Sequence, residues 1–247
     1  GSFLSRDITV EALPRQTMLR RTADDDDPHE RPIVANADQL LIVTALADPP
    51  PRTGMIDRIL VAAYEARVSP ILCLTKADLA SDEDVRSAYE PLEIPVVTTR
   101  LGANLDELHE LLSDHVTVLV GHSGVGKSTL VNGLIPGTDR AVGHVNTVTG
   151  RGRHTSTSAM ALRLPEGGWV IDTPGVRSFG LSHVRPKAVL AAFGDLAAFT
   201  DACPRGCDHT TQAPECGLDE AMARGELNPQ RLESFRRMER AGRPPRS

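Results

Sequence analysis

The chain has 247 residues, of which 40% are hydrophobic and 24% charged, with a net charge of −6. That length buries a substantial core and suits one main domain with a smaller appendage. No apolar run reaches the roughly eighteen residues of a membrane span, and the acidic balance gives no global field for nucleic acid, so any RNA contact needs a local patch.

The segment Gly1–Arg6 lacks the apolar core of a signal peptide. Gly1-Ser2 without an initiator Met reads as a cloning scar, so the natural protein is expected to extend further upstream. Asp7–Leu13 and Thr17–Arg21 read as strands around Pro14, followed by the polar loop Asp24–Pro28. Two strands are not a stable unit, so residues 1–36 look like the tail of a β domain. Pro32–Ala35 and Gln39–Leu46 are apolar enough for buried parallel strands. Met55–Arg67 has helical spacing, with Ile56, Ile59, Leu60 and Ala63 on one face. The strand Pro70–Leu74, a helix near Glu83–Glu90, the strand Ile94–Thr98, the helix Leu105–Leu112 and the strand Val116–Val120 follow. This alternation predicts an α/β fold with a doubly wound, mostly parallel sheet. Further on, Gly143–Ser158 reads as a mobile polar loop, and Ala159–Leu164 and Trp169–Ile171 as strands around Pro165–Gly168. A helix is expected over Pro186–Phe199, then a cysteine cluster, then one charged helix from Asp219 to about Arg240.

The chain is organised around Gly121-His122-Ser123-Gly124-Val125-Gly126-Lys127-Ser128, entered from the strand Val116–Val120 and left through a helical stretch beginning at Thr129. Strand, glycine loop, Lys-Ser and helix are the full context of a phosphate-binding loop. Gly121, Gly124 and Gly126 allow the backbone N–H groups to converge on phosphate oxygens, and the helix N-terminus adds its partial positive charge. Lys127 reaches the β- and γ-phosphates, and the Ser128 hydroxyl ligates Mg²⁺. The sequence is thus expected to bind a nucleoside triphosphate. Downstream, Asp172-Thr173-Pro174-Gly175 closes a strand. It matches the segment in which the aspartate holds Mg²⁺ through water and the glycine N–H meets the γ-phosphate.

Thr75-Lys76-Ala77-Asp78 resembles the Asn-Lys-x-Asp guanine motif of GTPases. A carboxylate at Asp78 accepts from guanine N1–H and the exocyclic amine, a pairing that adenine leaves unmade. The Lys76 stem covers the base, and Thr98, with Thr99 and Arg100, sits where a backbone contact to the guanine carbonyl belongs. Thr75 stands in place of the Asn, which puts its tether to the phosphate loop in question. Here the guanine motif precedes the phosphate motifs, the reverse of ordinary GTPases. The pieces are intact but circularly permuted.

With Asn36-Ala-Asp38, Thr75–Asp78, Gly121–Ser128, Gly150–Thr157, Asp172–Arg177 and the cysteine cluster, the sequence resembles the RsgA (YjeQ) family of circularly permuted, small-ribosomal-subunit-dependent GTPases. The resemblance implies an N-terminal OB-fold of which residues 1–36 keep the last strands, a permuted GTPase domain over 37–184, and a zinc-binding helical domain over 185–247. It also implies a role late in small-subunit maturation, with GTP/GDP and the subunit's rRNA as partners, in the cytoplasm, as a monomer off the membrane.

Val176 occupies the place of the water-orienting Gln, and an apolar side chain cannot orient water. The substitute is expected in Gly150–Thr157: His154 to orient water, and a hydroxyl among Thr155, Ser156 and Thr157, with Thr155 favoured, to ligate Mg²⁺. Unaided hydrolysis is expected at about 10⁻⁴ to 10⁻³ s⁻¹, so an activating partner is expected.

Cys203, Cys207, His209 and Cys216 supply a Cys₃His set suited to one structural, tetrahedral Zn²⁺. Cys73, inside an apolar strand, reads as a core residue. Arg231, Arg236, Arg237 and Arg240 form either an RNA-facing surface or a solvated helix face balanced by Glu233 and Glu239; Arg151 and Arg153 are better candidates for rRNA phosphates. The competing readings are a nucleotide-gated, zinc-stapled RNA-binding module whose hydrolysis is incidental, and an ATP-using kinase or ATPase.

Overall fold

The computed structural model describes residues 14–24, 26–27, 29–138, 159–176, 178–181, 189–190 and 193–241. A short ribbon comes first: β1 (Met18–Arg21) pairs antiparallel with β2 (Arg31–Ala35). The main sheet follows, built from β3 (Gln39–Ala45), β4 (Ser69–Thr75), β5 (Val96–Thr98), β6 (Val116–Val120), β7 (Met160–Arg163) and β8 (Trp169–Asp172). Its spatial order is β5-β4-β3-β6-β8-β7, parallel throughout except for the antiparallel edge pair β7–β8.

The central strands alternate between two cores. Leu40 and Ile42 of β3, Leu72 and Leu74 of β4, and Val118 and Val120 of β6 face one cluster. Leu41, Val43, Ile71, Cys73 and Leu119 face the other. A strand buried on both sides must be apolar at every position, which is why these segments read as unbroken runs. Cys73 lies fully buried, and burial pushes its thiol up to about 12, as expected of an inert core residue.

Helix α1 (Thr53–Ala66) covers the first face with Ile56, Ile59, Leu60 and Ala63, all buried. It stops at Arg67, whose φ of 56° puts it in the left-handed region, with its N–H returned to the Tyr64 carbonyl. The first face also receives α2 (Glu83–Tyr89) through Val85 and Tyr89, followed by a 3₁₀ turn at Glu90–Leu92. Leu108 and Leu112 of α3 (Asp106–Leu112) and Leu130, Val131 and Leu134 of α4 (Lys127–Leu134) cover the second face.

Beyond the sheet lie α5 (Gly194–Ala197), a 3₁₀ turn at Thr200–Ala202, α6 (Gly217–Ala223) and α7 (Pro229–Ala241). Phe193, Leu196, Leu218, Leu232, Phe235 and Met238 join the cluster under α1, and Phe193 meets Phe235 edge-on at 5.5 Å.

Three expectations change. Pro32–Ala35 is not a buried parallel strand: it pairs antiparallel in the separate ribbon and is mostly half-exposed or exposed. Proline, which donates no ladder bond, is tolerated in such an edge. The single helix expected over Asp219–Arg240 is two, broken at Gly225 (φ 73°). Asn228 then caps α7 by accepting from the Gln230 N–H at 2.9 Å, with Pro229 at the first helical position. Of the helix expected over Pro186–Phe199, the described residues keep Val189–Leu190 and α5. Asp7–Leu13 lies outside the described residues.

Candidate functional site

Parallel strands deliver their C-terminal loops to one edge, where ligands of open α/β sheets bind. Here β4 delivers Thr75–Asp78, β5 delivers Thr99–Arg100, β6 delivers Gly121–Gly126 and β8 delivers Thr173–Gly175.

The phosphate loop is shaped by its glycines. A Cβ at Gly121 would lie 2.2 Å from the Val43 carbonyl oxygen, so β6 can leave the sheet there only as glycine. Gly124 and Gly126 have φ values of 83° and 95°, and Gly126 caps α4 by accepting from the Leu130 N–H at 2.9 Å. Ser123 and Gly124 are exposed, Val125 is anchored in the core, and Ser128 and Thr129 sit in the first turn of α4. Lys127 is buried and folds back across the loop, its Nζ donating to the carbonyls of Gly121 at 2.9 Å and His122 at 3.2 Å. Burial lowers its pKa to about 8 against the opposing pull of Asp172. An amine so desolvated gains most from an anionic ligand. The His122 ring nitrogen Nδ1 lies 2.8 Å from the Ser123 carbonyl oxygen.

The Asp172–Gly175 segment reaches the same cradle. Asp172 is 3% exposed, and Thr173 Oγ1 donates to the Leu119 carbonyl at 2.6 Å. The Val176 N–H donates to the Gly121 carbonyl at 3.1 Å. A Cβ at Gly175 would stand 3.1 Å from Ser123 N and 3.3 Å from Lys127 Nζ, so this glycine touches the phosphate loop. The Val176 side chain belongs to the core.

On the base side, Thr75 is buried and its Oγ1 donates to the Val125 carbonyl at 2.6 Å, with the Thr44 carbonyl at 3.2 Å. The tether that the missing Asn put in question is therefore present, made by a hydroxyl. Lys76 (φ 60°) turns the chain, and its Nζ donates to the Asp48 carbonyl. Asp78 is exposed in a turn closed by the Leu79 N–H on the Lys76 carbonyl at 3.0 Å. The Ala77 N–H donates to the Thr99 carbonyl at 3.2 Å, joining the two base-side loops. The Thr98 side chain is spent elsewhere: its Oγ1 donates to Asp82 at 2.5 Å and accepts from Arg86 at 2.8 Å. Within the loop it is the Thr99 carbonyl that makes the cross-link. His154, Thr155, Ser156, Thr157, Arg151 and Arg153 lie outside the described residues.

The cysteine cluster closes as the spacing predicts. One ligand atom from each of Cys203, Cys207, His209 and Cys216 lies within 4.8 Å of all the others. His209 Nδ1 is 3.6 Å from Cys203 Sγ and 3.8 Å from Cys216 Sγ. Ligands around a tetrahedral zinc, with bonds of about 2.0–2.3 Å, stand about 3.5–3.8 Å apart, and these two separations match that spacing while the whole set stays within 4.8 Å. The Gly217 N–H donates to Cys203 Sγ at 3.2 Å, as the outer contacts of thiolate ligands do. Burial, together with the neighbouring Cys216 and Cys203 sulfurs, pushes the Cys207 thiol up to about 11, a cost that a bound cation reverses.

Comparison with known proteins agrees with this geometry. The family model "RsgA GTPase" matches residues 12–182. The chain belongs to the RsgA GTPase family. The small ribosomal subunit biogenesis GTPase RsgA of Azotobacter vinelandii is 42% identical over 238 residues, covering 93% of this chain and 68% of that protein. Its counterpart from Pseudomonas aeruginosa is 41% identical, with 93% and 69% covered. Among solved structures, YjeQ from Thermotoga maritima matches with a TM-score of 0.65 and 30% identity, over 94% of this chain and 77% of that one. YloQ, a circularly permuted GTPase, matches with a TM-score of 0.63 and 26% identity, over 96% and 76%. As a member of the RsgA GTPase family the chain is a GTP hydrolase, and its permuted order is the one the sheet shows.

Three of the four arginines of α7 form neither an RNA-facing row nor a solvated face, whereas Arg240 is exposed. Arg236 is 7% exposed, bonded to Asp219 at 2.7 Å and to the His209 carbonyl at 2.9 Å, which fastens the metal loop to α7. Arg237 Nε donates to the buried Asp57 of α1 at 2.9 Å, and its guanidinium lies 5.1 Å over the Tyr89 ring. Tyr89 OH completes that network by donating to the other Asp57 oxygen at 3.0 Å. Arg231 pairs with Asp195 at 2.6 Å and donates to the Pro91 carbonyl. Glu239 is buried too, at 9% exposure. Sequence spacing shows where a helix carries charge but not which buried partner takes it.

Proposed function

We propose that this GTPase acts as a late maturation factor of the small ribosomal subunit, a reading supported by its relatives' names, which state biogenesis of that subunit. The observation that carries the nucleotide reading is the meeting of three separate loops at one sheet edge. Thr75 Oγ1 lies 2.6 Å from the phosphate loop's Val125 carbonyl, and the Gly175 Cβ position lies 3.3 Å from Lys127 Nζ.

In this reading Asp78 selects guanine, the stem of Lys76 covers the base, and the backbone after Thr98 meets the guanine carbonyl. The N–H groups of Gly121–Thr129 and the Lys127 amine hold the phosphates, and the Gly175 N–H senses the γ-phosphate. Ser128, Asp172 and Thr155 hold Mg²⁺, which when bound neutralises charge on the β- and γ-phosphate oxygens. His154 orients the attacking water, a task Val176 cannot perform because its side chain is apolar and turned into the core. The cluster Cys203, Cys207, His209 and Cys216 holds a structural Zn²⁺, with all four positions filled by protein. Residues 1–36 are the end of an OB-like domain, 37–184 the permuted GTPase domain and 185–247 the zinc domain. The protein works as a monomer in the cytoplasm, and Arg151 and Arg153 contact rRNA phosphates.

The test is GTP turnover with and without purified small subunits. Stimulation by subunits supports the proposal, and unstimulated turnover overturns the ribosomal part of it. Asp78→Asn should erase the preference for GTP over ATP, and unchanged discrimination would remove that loop from the site.

A further inference from the structure

The segment behind Gly175 is tied down at both ends. At its start the Val176 N–H donates to the phosphate loop at Gly121. At its end Gly180 pairs with Thr22 of the β1–β2 ribbon in both directions, each N–H donating to the other's carbonyl at 3.1 Å. Ser178 Oγ donates to the Ala23 carbonyl at 2.6 Å, and Arg58 of α1 donates through Nε to the Phe179 carbonyl, also at 2.6 Å. Thr22 is fully buried, and Thr22 Oγ1 donates to the Asp24 carbonyl at 2.6 Å, folding the ribbon's loop over the contact. The approach is so close that a Cβ at Gly180 would fall 2.2 Å from the Asp24 carbonyl oxygen and 2.3 Å from Thr22 Oγ1. The ribbon is itself seated: Leu19 is fully buried in the cluster beneath α1.

We infer that this brace couples the N-terminal β ribbon to the nucleotide, with Thr22, Gly180, Ser178 and Arg58 as positioning residues for the γ-phosphate-sensing segment. The inference rests on the assignment of Asp172–Gly175 to the γ-phosphate. Val176, held at Gly121, and Gly180, held at Thr22, lie only a few residues apart along the chain, so a shift of Gly175 on loss of the γ-phosphate is passed to the Thr22–Gly180 pair. Coupling of this kind is reciprocal: whatever restrains the ribbon changes the preference between GTP and GDP by the factor with which the nucleotide changes the ribbon.

The test uses the full chain with GDP and with a non-hydrolysable GTP analogue. Amide hydrogen exchange at Thr22 and Gly180 should differ by about five-fold or more between the two complexes. In Gly180→Ala, where the new methyl forces the pair apart, the ratio of analogue to GDP affinity should shift by about five-fold or more. Ser178→Ala, an exposed and mild change, should shift it in the same direction by less, and it decides the matter if Gly180→Ala does not fold. Identical exchange in both complexes, or an unmoved ratio in the folded variants, overturns the inference while leaving the site reading intact. Wild-type protein that binds neither nucleotide overturns both.

Discussion

Thr75→Val tests whether a hydroxyl replaces the usual amide between the base-reading and phosphate loops. The substitution keeps the side-chain shape and replaces the hydroxyl donor by a methyl group. Thr75 Oγ1 has two acceptors, the Val125 carbonyl at 2.6 Å and the Thr44 carbonyl at 3.2 Å. A hydroxyl donates one hydrogen, and the shorter contact has the better geometry, so the loss falls on Val125. A buried carbonyl left without its donor costs about 1–3 kcal/mol. In nucleotide-free protein the freed loop relaxes and lets water reach that carbonyl; closing around a phosphate chain forces it back. Part of the cost therefore reappears in affinity, about 1–2 kcal/mol or about 5–30-fold weaker binding of GDP. Fluorescent-nucleotide titration measures it, with urea unfolding recorded alongside. Thr75→Ser, which keeps the donor, should bind nearly as well as the parent. Wild-type affinity in Thr75→Val, or an equal loss in Thr75→Ser, would refute the reasoning.

Lys127 gives a pH dependence: burial lowers its pKa to about 8, bound phosphate raises it again, and binding above that pH must take up a proton. GDP affinity should hold between about pH 7 and 8 and then fall by up to tenfold per unit, with proton uptake seen by calorimetry in buffers of different ionisation enthalpy; a flat profile to about pH 9.5 contradicts it. Elemental analysis should find stoichiometric zinc, lost in Cys216→Ser, and chelation should melt the loop between Thr200 and Cys216 while the sheet survives. Arg237→Met should cost about 3 kcal/mol at neutral pH by stranding the buried Asp57 carboxylate. Burial already raises the Asp57 pKa, with Arg237 and Tyr89 holding it down. Without Arg237 it rises further, the folded state then binds more protons than the unfolded, and the deficit should shrink as the pH is lowered towards 5 in urea titrations.

The elements whose signal is local were legible in the sequence. Buried strands such as Leu40–Val43 must be apolar on both faces, the glycine loop carries its own backbone requirement, and four metal donors fall within one short loop. What the sequence concealed is pairing at a distance. Nothing in Arg31–Ala35 says whether it joins the main sheet or a separate ribbon, because both environments accept a short apolar strand beginning at proline. Arg231, Arg236 and Arg237 of α7 have helical spacing that fits solvent as well as burial; their partners Asp195, Asp219 and Asp57 lie on three other elements. The break before α7 was announced by Gly225, Asn228 and Pro229, a stop, a cap and a first-turn proline. The Thr75 tether was hidden because a different side chain makes the same bond.

The permutation leaves the site intact because the pocket depends on the spatial order β5-β4-β3-β6-β8, not on the order in which the chain visits those strands. It does change what the Asp172–Gly175 segment leads to. After Gly175 the chain runs to the Gly180 pairing with the N-terminal ribbon and on to the C-terminal unit that carries the Cys203, Cys207, His209 and Cys216 cluster. Both attachments return to α1 at neighbouring positions: Asp57 takes Arg237 of α7, and Arg58 takes the Phe179 carbonyl. One helix thus receives the ribbon's apolar face, the C-terminal unit's buried charge and the backbone behind Gly175. A perturbation at Arg58 should therefore alter nucleotide preference with little loss of stability. One at Asp57 should do the reverse, because its partners lie in α2 and α7, away from the phosphate loop.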